Sequence, residues 1–457
     1  MTIGTSSSLA VLNPATETVI ATVDSVDIGA VDRAVTRAHR AQAIWAAESP
    51  AQRAARLRNF AAAVDAARCD LAELETTNAG HLGDVALGGV SALHDFLTYS
   101  AGGVERLMGE QIPVASGINI TFHEPVGVVA VIVPWNFPLV ITAWALAPAL
   151  AAGNAVIIKP AELTPLSALR LERIALEAGL PDGLVQVVTG SGRIIGEHLT
   201  CHPGVGHVVF TGSTGVGKRI MELASRNVTG VTLELGGKSA NIIFDDADLD
   251  IAAAGVPGSA FDNAGQDCCA RARILVQKSV FEDFMARLEP VITSLRVGDP
   301  RNSETQIGPL ISAGQRDSVA AFVDGEQIAF QAKAPSGPGF WFPPTVLSPI
   351  STDSPAWREE IFGPVLAVVP FEDEQDAVRL ANDTTYGLSG SIWTNDLRRG
   401  LRMARAVRGG NLSVNSNSSV RYSTPFGGMK QSGLGRELGP QALHHFTETK
   451  NVFISTV

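Results

Sequence analysis

The fold is set by one long uncharged stretch, Pro125-Val-Gly-Val-Val-Ala-Val-Ile-Val-Pro-Trp-Asn-Phe-Pro-Leu-Val-Ile-Thr-Ala-Trp-Ala-Leu-Ala-Pro-Ala-Leu-Ala-Ala-Gly-Asn-Ala-Val-Ile-Ile158. It contains no Asp, Glu, Lys or Arg, so it has the composition of a membrane helix. However, Pro134, Pro138, Pro148 and Gly153 interrupt it, and prolines and glycines break long helices. The pattern instead predicts a strand, a turn, a helix, a turn and a second strand, all buried. We therefore expect this stretch at the centre of an α/β domain.

Strands and helices are predicted to alternate along most of the chain. Apolar, β-branched runs are followed by segments with helical spacing, which is typical of a parallel sheet covered by helices on both faces. These runs lie at 126–133, 154–159, 184–188, 207–210 and 231–235. A second alternation over 241–414 predicts a second α/β domain. Residues 109–124 instead predict a hairpin, residues 446–457 an extended strand, and residues 1–10 a loose leader.

Composition and charge exclude several classes of protein. The 457 residues are 45% hydrophobic and 18% charged, as in globular chains of two or three domains. The net charge of -11 argues against a nucleic-acid-binding surface, which needs clustered Lys and Arg. Four cysteines in this length indicate a reducing compartment and not a disulfide framework. Because the first basic residue is Arg33, we recognise no export signal and expect a cytoplasmic protein without a membrane anchor.

Two of the four cysteines lie in the stretch Phe261-Asp-Asn-Ala-Gly-Gln-Asp-Cys-Cys-Ala-Arg271. A cysteine on a glycine-containing bend between regular elements is accessible enough to react, although a buried structural pair is the alternative. A second stretch, Leu233-Glu-Leu-Gly-Gly-Lys238, places an acidic residue in an apolar strand. A carboxylate in such a strand is costly unless it has a partner or a task. Together the two stretches favour a reactive site.

Glycine-rich stretches indicate where a nucleotide would bind. Residues 212–218 match the first seven positions of a P-loop, but Arg219 replaces the hydroxyl that would hold magnesium. A helix that starts near Ser213 remains a suitable site for a pyrophosphate without metal. Lys159-Pro-Ala-Glu162 follows a predicted buried strand, which is where ribose binds in nucleotide-binding sheets. A solvated ion pair is the alternative for this Lys–Glu pair.

A metal site has weak support in the sequence. His198, Cys201 and His202 have spacing that allows one helical face, but no fourth ligand is evident. We expect no metal. The sequence also contains neither the G-x-S-x-G pattern of serine hydrolases nor the H-E-x-x-H pattern of zinc proteases.

Seven blocks of the chain together resemble the NAD(P)-dependent aldehyde dehydrogenase superfamily, from about Val11 to the C-terminus. The blocks are Pro134-Trp-Asn-Phe-Pro138, Lys159-Pro-Ala-Glu162, Phe210-Thr-Gly-Ser213, Glu234-Leu-Gly-Gly-Lys238, Gly265-Gln-Asp-Cys268, Glu359-Glu-Ile-Phe-Gly-Pro364 and Pro425-Phe-Gly-Gly-Met-Lys430. Both their order and their spacing fit the superfamily. The resemblance implies oxidation of an aldehyde to a carboxylate.

The resemblance assigns three catalytic roles. Cys268 falls on the nucleophile, with Cys269 as its non-catalytic neighbour. Asn136 falls on the side-chain donor to the oxyanion, and Glu234 on the base that activates water for thioester hydrolysis. Glu437 is similar to a secondary acidic residue sometimes placed in proton relay. Asp267, beside the nucleophile, should raise the pKa of the thiol, so the sequence offers no account of thiol activation.

NAD is the cofactor that the resemblance implies, and seven residues fall on positions that hold it. These are Lys159 and Glu162 at the adenosine ribose, Ser213 at the pyrophosphate with Gly212 beside it, Trp135 along the cleft, and Glu360 and Phe362 at the nicotinamide ribose. Because a carboxylate at Glu162 repels a 2′-phosphate, we expect a preference for NAD over NADP.

The implied architecture has three parts. Residues 1–108 and 126–235 would form a Rossmann-like NAD-binding domain, and residues 236–430 a catalytic domain. Residues 109–125 and 431–457 would form a β-flap and arm that pair between subunits of a homodimer or homotetramer. The partner is a small aldehyde, with no nucleic acid and no membrane.

Three alternatives remain open. A cysteine-dependent ester or thioester hydrolase would need Cys268 and Glu234 but not the cofactor residues. A CoA-acylating aldehyde dehydrogenase would release acyl-CoA, and the presence of Glu234 disfavours it. A binding protein without activity would not need the set of Cys, Glu and Asn. The aldehyde is not identified: Asp262 suggests a cationic aminoaldehyde and Arg421 a carboxylate-bearing one, and a structural role is the alternative for each.

Overall fold

A computed structural model describes residues 8–418 and 420–457 of the chain. The strands are β1 (Ser8–Leu12), β2 (Val19–Asp24), β3 (Gln111–Val114), β4 (Gly117–Pro125), β5 (Val128–Ile132), β6 (Ala155–Lys159), β7 (Val185–Val187), β8 (His207–Thr211), β9 (Gly230–Glu234), β10 (Ala240–Ile243), β11 (Arg273–Gln277), β12 (Ile328–Gln331), β13 (Thr345–Leu347), β14 (Val365–Phe371), β15 (Ser389–Trp393), β16 (Asn411–Val414), β17 (Gly433–Leu434) and β18 (Thr447–Ser455).

The α-helices are α1 (Ile28–Ala46), α2 (Pro50–Ala66), α3 (Arg68–Ala79), α4 (Gly83–Gly103), α5 (Pro138–Ala151), α6 (Leu166–Glu177), α7 (Glu197–Cys201), α8 (Thr214–Ala224), α9 (Leu249–Ala254), α10 (Val256–Ala260), α11 (Phe281–Thr293), α12 (Ala313–Val323), α13 (Pro355–Arg358), α14 (Glu374–Asn382) and α15 (Leu397–Ala406). Within the described residues, none of these helices is both long and apolar enough to cross a membrane.

The uncharged stretch forms β5, α5 and β6, as predicted. Every residue of both strands is buried, and the strands pair in parallel with Val128 opposite Ala155. Pro138 is the first residue of α5, where its missing N–H costs no helical hydrogen bond. These strands lie at the centre of a six-stranded sheet of order β17-β9-β8-β5-β6-β7, parallel except for β17. The mixed α/β class with parallel sheets is confirmed.

The second alternation forms a separate sheet with its own core. Its seven strands have the order β12-β13-β14-β11-β10-β15-β16, and only β12 is antiparallel to its neighbour. Buried residues of the first sheet and its helices form one apolar cluster, and those of the second sheet form another. The polypeptide passes between the two sheets after β9, and the functional residues described below come from both.

A third, smaller sheet contains the predicted hairpin and the tail. Strand β4 pairs with β3 on one side and, over nine residues, with β18 on the other, all antiparallel. Strand β17 lies in the range that the sequence assigned to the C-terminal arm, but it pairs with β9 of the six-stranded sheet. Residues 8–10 of the expected leader are not a loose segment, because they belong to β1 and pair with β2. Residues 1–7 of that leader lie outside the described part of the chain.

Candidate active site

The cysteine stretch forms a tight bend between α10 and β11. Asn263, Ala264 and Gly265 have φ values of 48°, 57° and 72°, which is the left-handed region. Such values are unfavourable for residues other than glycine, and strain of this kind concentrates at functional sites. At Gly265 a Cβ atom would lie 2.2 Å from the carbonyl oxygen of Gly363, so only glycine fits. The bend therefore fixes the backbone directly before Cys268.

Two cavities meet at Cys268. The larger one has a volume of about 350 Å³ and reaches Cys268 from the side of α4 and α5. The other has a volume of about 230 Å³ and is lined by Pro134, Trp135, Asn136, Thr211, Gly212, Ser213, Glu234, Leu235, Gly236, Cys268, Gln315, Glu360 and Phe362. Cys269 lines only the larger cavity and is 5% exposed. The structure thus brings the three predicted catalytic residues to one cavity.

Asn136 lies just after β5 and is buried. Its side-chain nitrogen donates to the carbonyl oxygen of Gln266 at 3.0 Å, which directs the amide toward the bend that carries Cys268. Its own backbone carbonyl accepts two hydrogen bonds, from His81 Nε2 at 2.6 Å and from Asn263 Nδ2 at 2.8 Å. Two hydrogen bonds therefore fix the backbone of Asn136, and one fixes its side-chain amide.

Glu234 is the last residue of β9 and is 2% exposed. Its Oε1 accepts the backbone N–H of Gly428 at 3.0 Å, whereas Oε2 has no hydrogen-bond partner among the described residues. Burial raises the pKa of Glu234 well above its usual range, and the nearby Glu437 raises it further. Burial likewise raises the pKa of Glu437 to about 8. Two neighbouring buried carboxyl groups repel each other when both are ionised, so at least one of them tends to keep its proton.

The surroundings of Cys268 do not activate its thiol. The carboxylate of Asp267 and the sulfur atoms of Cys268 and Cys269 all lie within 4.8 Å of one another. A hydrogen bond with Cys269 raises the pKa of Cys268 well above its usual range, and burial and the charges of Asp267 and Glu234 raise it further. Asp267 thus acts in the direction expected from the sequence, because its charge favours the protonated thiol.

A third cavity, of about 650 Å³, extends along the carboxyl ends of the first sheet. Lys159 and Glu162 line it, and so do Trp135 and Ser213, which it shares with the cavity at Glu234. Lys159 ends β6 and is buried, which lowers its pKa. Glu162 accepts the N–H of Gly192 at 3.0 Å. An ammonium and a carboxylate side by side at a strand end are a suitable donor and acceptor for a ribose.

The remaining predicted cofactor residues lie around this third cavity and the cavity at Glu234. Ser213 caps α8 by accepting the N–H of Val216 at 3.4 Å. The rings of Trp135 and Phe362 meet edge to face, 5.3 Å apart. Glu360 accepts the N–H of Gly237 at 2.8 Å, and burial raises its pKa to about 7. Gly212 follows β8, and a Cβ there would lie 2.6 Å from the ring of Phe210.

The lysine of the P-loop-like run and the three candidate metal ligands take no part in this site. Lys218, the lysine of the P-loop-like run, donates to Gln431 and does not line the cavities described above. His198 and His202 both face Asp32, at 2.6 and 3.5 Å, but the Cys201 sulfur lies 3.9 Å from the Leu223 carbonyl instead. The three candidate metal ligands therefore do not converge.

His81 and Glu75 were not predicted from the sequence. The imidazole Nδ1 of His81 lies 3.6 Å from Glu75, and both side chains line the larger cavity. Burial lowers the pKa of His81 to about 4 and raises that of Glu75 to about 7, so both are mainly neutral between these two pH values. Neutral His81 therefore donates from Nε2 to Asn136. One available signal was the position of Glu75, four residues after the buried Leu71 on the same face of α3.

Comparison with known proteins identifies the family. Residues 2–452 match the model of the aldehyde dehydrogenase family. Betaine aldehyde dehydrogenase 2 of Rhizobium meliloti is 40% identical over 451 residues, which cover 97% of this chain and 93% of the relative. An aldehyde dehydrogenase of Aspergillus niger is 39% identical, with 96% and 90% covered.

Solved structures of relatives superpose closely on this chain. Betaine aldehyde dehydrogenase of Staphylococcus aureus in complex with NAD+ has a TM-score of 0.96 at 36% identity, covering 98% of this chain and 92% of that one. PnpE from Pseudomonas sp. WBC-3 has a TM-score of 0.96 at 39% identity, with 98% and 94% covered. Sequence and structure agree, and the chain belongs to the aldehyde dehydrogenase family.

Proposed function

We propose that this protein oxidises an aldehyde to the carboxylate through a thioester on Cys268, with NAD as hydride acceptor. The observation that carries the proposal is the position of Cys268 at the junction of two cavities. One cavity is suited to an aldehyde. The other adjoins the third cavity, which is lined by Lys159 and Glu162, the proposed ribose-binding pair. A nucleophile at such a junction is accessible to a substrate and a cofactor at the same time.

The first step forms a bond between the Cys268 sulfur and the aldehyde carbon. The thiol releases its proton to solvent as it attacks, and the carbonyl oxygen becomes an oxyanion. The buried side-chain N–H of Asn136, directed toward the bend by its contact with Gln266, stabilises that charge together with the backbone N–H of Cys268. Because the pKa of Cys268 is raised in this state, thiol ionisation is expected to require a favourable charge at the site.

The residues around the second and third cavities are suited to NAD. Lys159 and Glu162 would hold the adenosine ribose, Ser213 at the start of α8 the pyrophosphate, and Glu360 the nicotinamide ribose. NAD, when bound, supplies the acceptor for the hydride of the aldehyde carbon, so that the acyl group remains on Cys268 as a thioester. The complex of the Staphylococcus aureus relative with NAD+ supports this assignment.

The second step hydrolyses the thioester. Glu234 lies at the end of β9 with one carboxylate oxygen held by Gly428 and the other without a partner among the described residues. That second oxygen is suited to accept a proton from water as the water attacks the acyl carbon. The C–S bond breaks, and the Cys268 sulfur takes up the proton that Glu234 accepted from water. The acid product releases its own proton and leaves as the carboxylate, and Glu437, buried near Glu234, is suited to relay that released proton.

Oligomerisation through the three-stranded sheet is part of the same proposal. We expect a homodimer or homotetramer, since the exposed strand edges and apolar side chains of this sheet need a partner. We also propose that the chain divides into an NAD-binding domain, a catalytic domain and a flap with an arm.

Nicotinamide absorbance during turnover tests the reaction. Purified protein is mixed with NAD and a panel of aliphatic, aromatic, amino- and carboxy-aldehydes, and the product is analysed as free acid or acyl-CoA. We expect NADH formation with free acid as product and no requirement for CoA. Ester hydrolysis without any cofactor-dependent aldehyde oxidation would instead support a cysteine hydrolase. A product found as acyl-CoA would support the CoA-acylating alternative.

A further inference from the structure

The larger cavity beside Cys268 has an acidic wall that the proposed chemistry does not use. Most of its lining is apolar or aromatic, including Phe137, Ile141, Trp144 and Val420. Three carboxyl side chains, those of Glu75, Asp262 and Asp267, also line it. Carboxyl groups in an apolar cavity are costly, so they call for a reason.

We propose that this cavity selects aldehydes that carry a cationic head group, with Asp262 as the counter-ion. The inference rests on the proposed function, because it identifies the substrate class of that same site. The head group we propose is an ammonium, either primary or quaternary, and the test below distinguishes the two.

The Asp262 carboxylate has no cationic side chain paired with it in the part of the chain that the structure describes. Its Oδ1 accepts the backbone N–H of Asn263 at 2.9 Å, and it forms no ion pair with any other residue that the structure describes. Burial and the charge of Asp267 raise the pKa of Asp262 to about 6, and no cationic group acts against them. A positive charge in the cavity would offset both effects. Asp262 thus has the surroundings expected of one half of an ion pair.

The other charged groups of the cavity are already engaged. Burial raises the pKa of Asp267, and two contacts act against this rise: the N–H of Cys269, which Asp267 accepts at 2.9 Å, and the charge of the Arg271 guanidinium. Arg271 itself donates to the carbonyl oxygen of Cys269 at 3.0 Å and to Ser391 at 3.3 Å. Glu75 has a pKa raised by burial to about 7, and it contacts the neutral His81. Asp262 is therefore the carboxylate that remains for a ligand.

The apolar part of the lining is compatible with such a ligand. Phe137 and Trp144 both line the cavity, and the faces of aromatic rings attract ammonium groups. An anionic head group would instead meet Asp262 and Asp267. Arg421, which suggested a carboxylate-bearing substrate, is exposed and is not among the described residues that line the cavity.

The test compares aldehydes that differ only in charge. Trimethylammonium acetaldehyde and tert-butyl acetaldehyde have nearly the same shape, but only the first is cationic. A primary ω-ammonium aldehyde and the neutral aldehyde of equal length form a second pair. NADH formation gives kcat/KM for all four. We expect the cationic member of at least one pair to be preferred by about 10- to 100-fold. For the primary ammonium this is the range of a charge-assisted hydrogen bond. The quaternary ammonium has no N–H and would be held by the charge of Asp262 and by the aromatic rings.

The Asp262→Asn variant tests the contribution of this one carboxylate. The amide keeps an oxygen that can accept the N–H of Asn263, so the bend before Cys268 should persist, while the negative charge is lost. We expect the ratio of cationic to neutral kcat/KM to fall toward one. Asp324→Asn makes the same change of charge at an exposed position at the end of α12 and should leave the ratio unchanged.

Several outcomes overturn the proposal while leaving the proposed function intact. One is wild-type protein that oxidises neutral aldehydes as efficiently as cationic ones. Another is an Asp262→Asn variant that keeps the cationic preference. Should that variant not fold, inhibition of wild-type turnover by trimethylammonium ethanol is compared with that by its tert-butyl analogue, and equal inhibition overturns the proposal. If no aldehyde yields NADH, the proposed function itself is wrong, which the same assay shows separately.

Discussion

The two adjacent cysteines differ in what their sulfur atoms can reach. Cys268 lines both cavities, whereas Cys269 is buried and lines only the larger one. We therefore expect Cys268→Ala to abolish aldehyde oxidation and Cys269→Ala to retain most of it. Steady-state NADH formation by both purified variants measures this, with thermal unfolding as a check on folding. Activity that survives in Cys268→Ala and disappears in Cys269→Ala would move the nucleophile to the other sulfur.

Glu234 offers a sharper test of the second step. Glu234→Gln removes the proposed base but keeps an acceptor for the N–H of Gly428, so attack and hydride loss should continue while the thioester accumulates. We expect a burst of about one NADH per active site, followed by turnover slower by about 10²–10⁴-fold, which is the usual cost of losing a general base. Mass spectrometry should find the acyl group on the peptide that contains Cys268.

The pH dependence of the wild-type protein provides the control for this variant. Because the pKa of Glu234 is raised, the carboxylate form that acts as base is lost as the pH falls through that raised value. Thioester hydrolysis should therefore accelerate with rising pH in the wild type, and this limb should be absent in Glu234→Gln. Fast, burst-free turnover by the variant would assign water activation to another residue, with Glu437 as the first candidate.

At the scale of elements, local patterns predicted strands and helices, whereas long-range contacts produced the details of the site. Apolar periodicity was sufficient for β5, α5 and β6, since burial on both faces leaves a continuous signal. The left-handed backbone at Asn263 and Ala264 had no such signal. The contact of His81 with Asn136 joins residues 55 positions apart, and no local pattern encodes it.

The bend before Cys268 should tolerate no side chain at Gly265. Gly265→Ala combines a positive φ of 72° with a Cβ 2.2 Å from the Gly363 carbonyl, so the bend must move. The matched control is Gly325→Ala, with a φ of 80° and no atom within 4 Å of the added Cβ. We expect the control to cost about 1–2 kcal/mol of stability and Gly265→Ala to cost about 1–3 kcal/mol more.

Thermal unfolding and alkylation of Cys268 by iodoacetamide measure the effects of these two substitutions. The unfolding midpoint should fall further in Gly265→Ala, and only this variant should show a changed alkylation rate. Equal behaviour of the two variants would mean that the bend adjusts without displacing the nucleophile.

At the scale of the whole molecule, the site is assembled from both large sheets. Asn136 follows β5 and Glu234 ends β9, both of the first sheet, whereas Glu360 precedes β14 of the second. Cys268 lies on the bend before β11, also of the second sheet. The first sheet therefore contributes the carboxyl ends of its strands, the natural edge for a ligand, whereas the second sheet contributes the segments that lead into the amino ends of β11 and β14. The relative placement of the two sheets could not be predicted from the sequence, since it depends on packing between distant segments.

The three-stranded sheet has an apolar face that the described part of this chain leaves exposed. Ile118 and Phe122 lie four residues apart on β4, so their side chains are on the same face of the sheet. Ile454 of β18 lies directly opposite Ile118. Their exposed fractions are 45%, 47% and 47%, which is unusual for neighbouring large apolar side chains on one face. This arrangement supports the proposed pairing between subunits.

Ile118→Asp should weaken that pairing, because it places a charge in the middle of the apolar face and the interface would have to bury it. We expect analytical ultracentrifugation to show a dimer or tetramer for the wild type and a smaller species for the variant at equal concentration. Leu397→Asp is the matched control: Leu397 is 74% exposed at the start of α15, so the same change should leave the mass unchanged. A wild type that sediments as a monomer, or an Ile118→Asp variant with the wild-type mass, would show that subunits do not associate through this sheet.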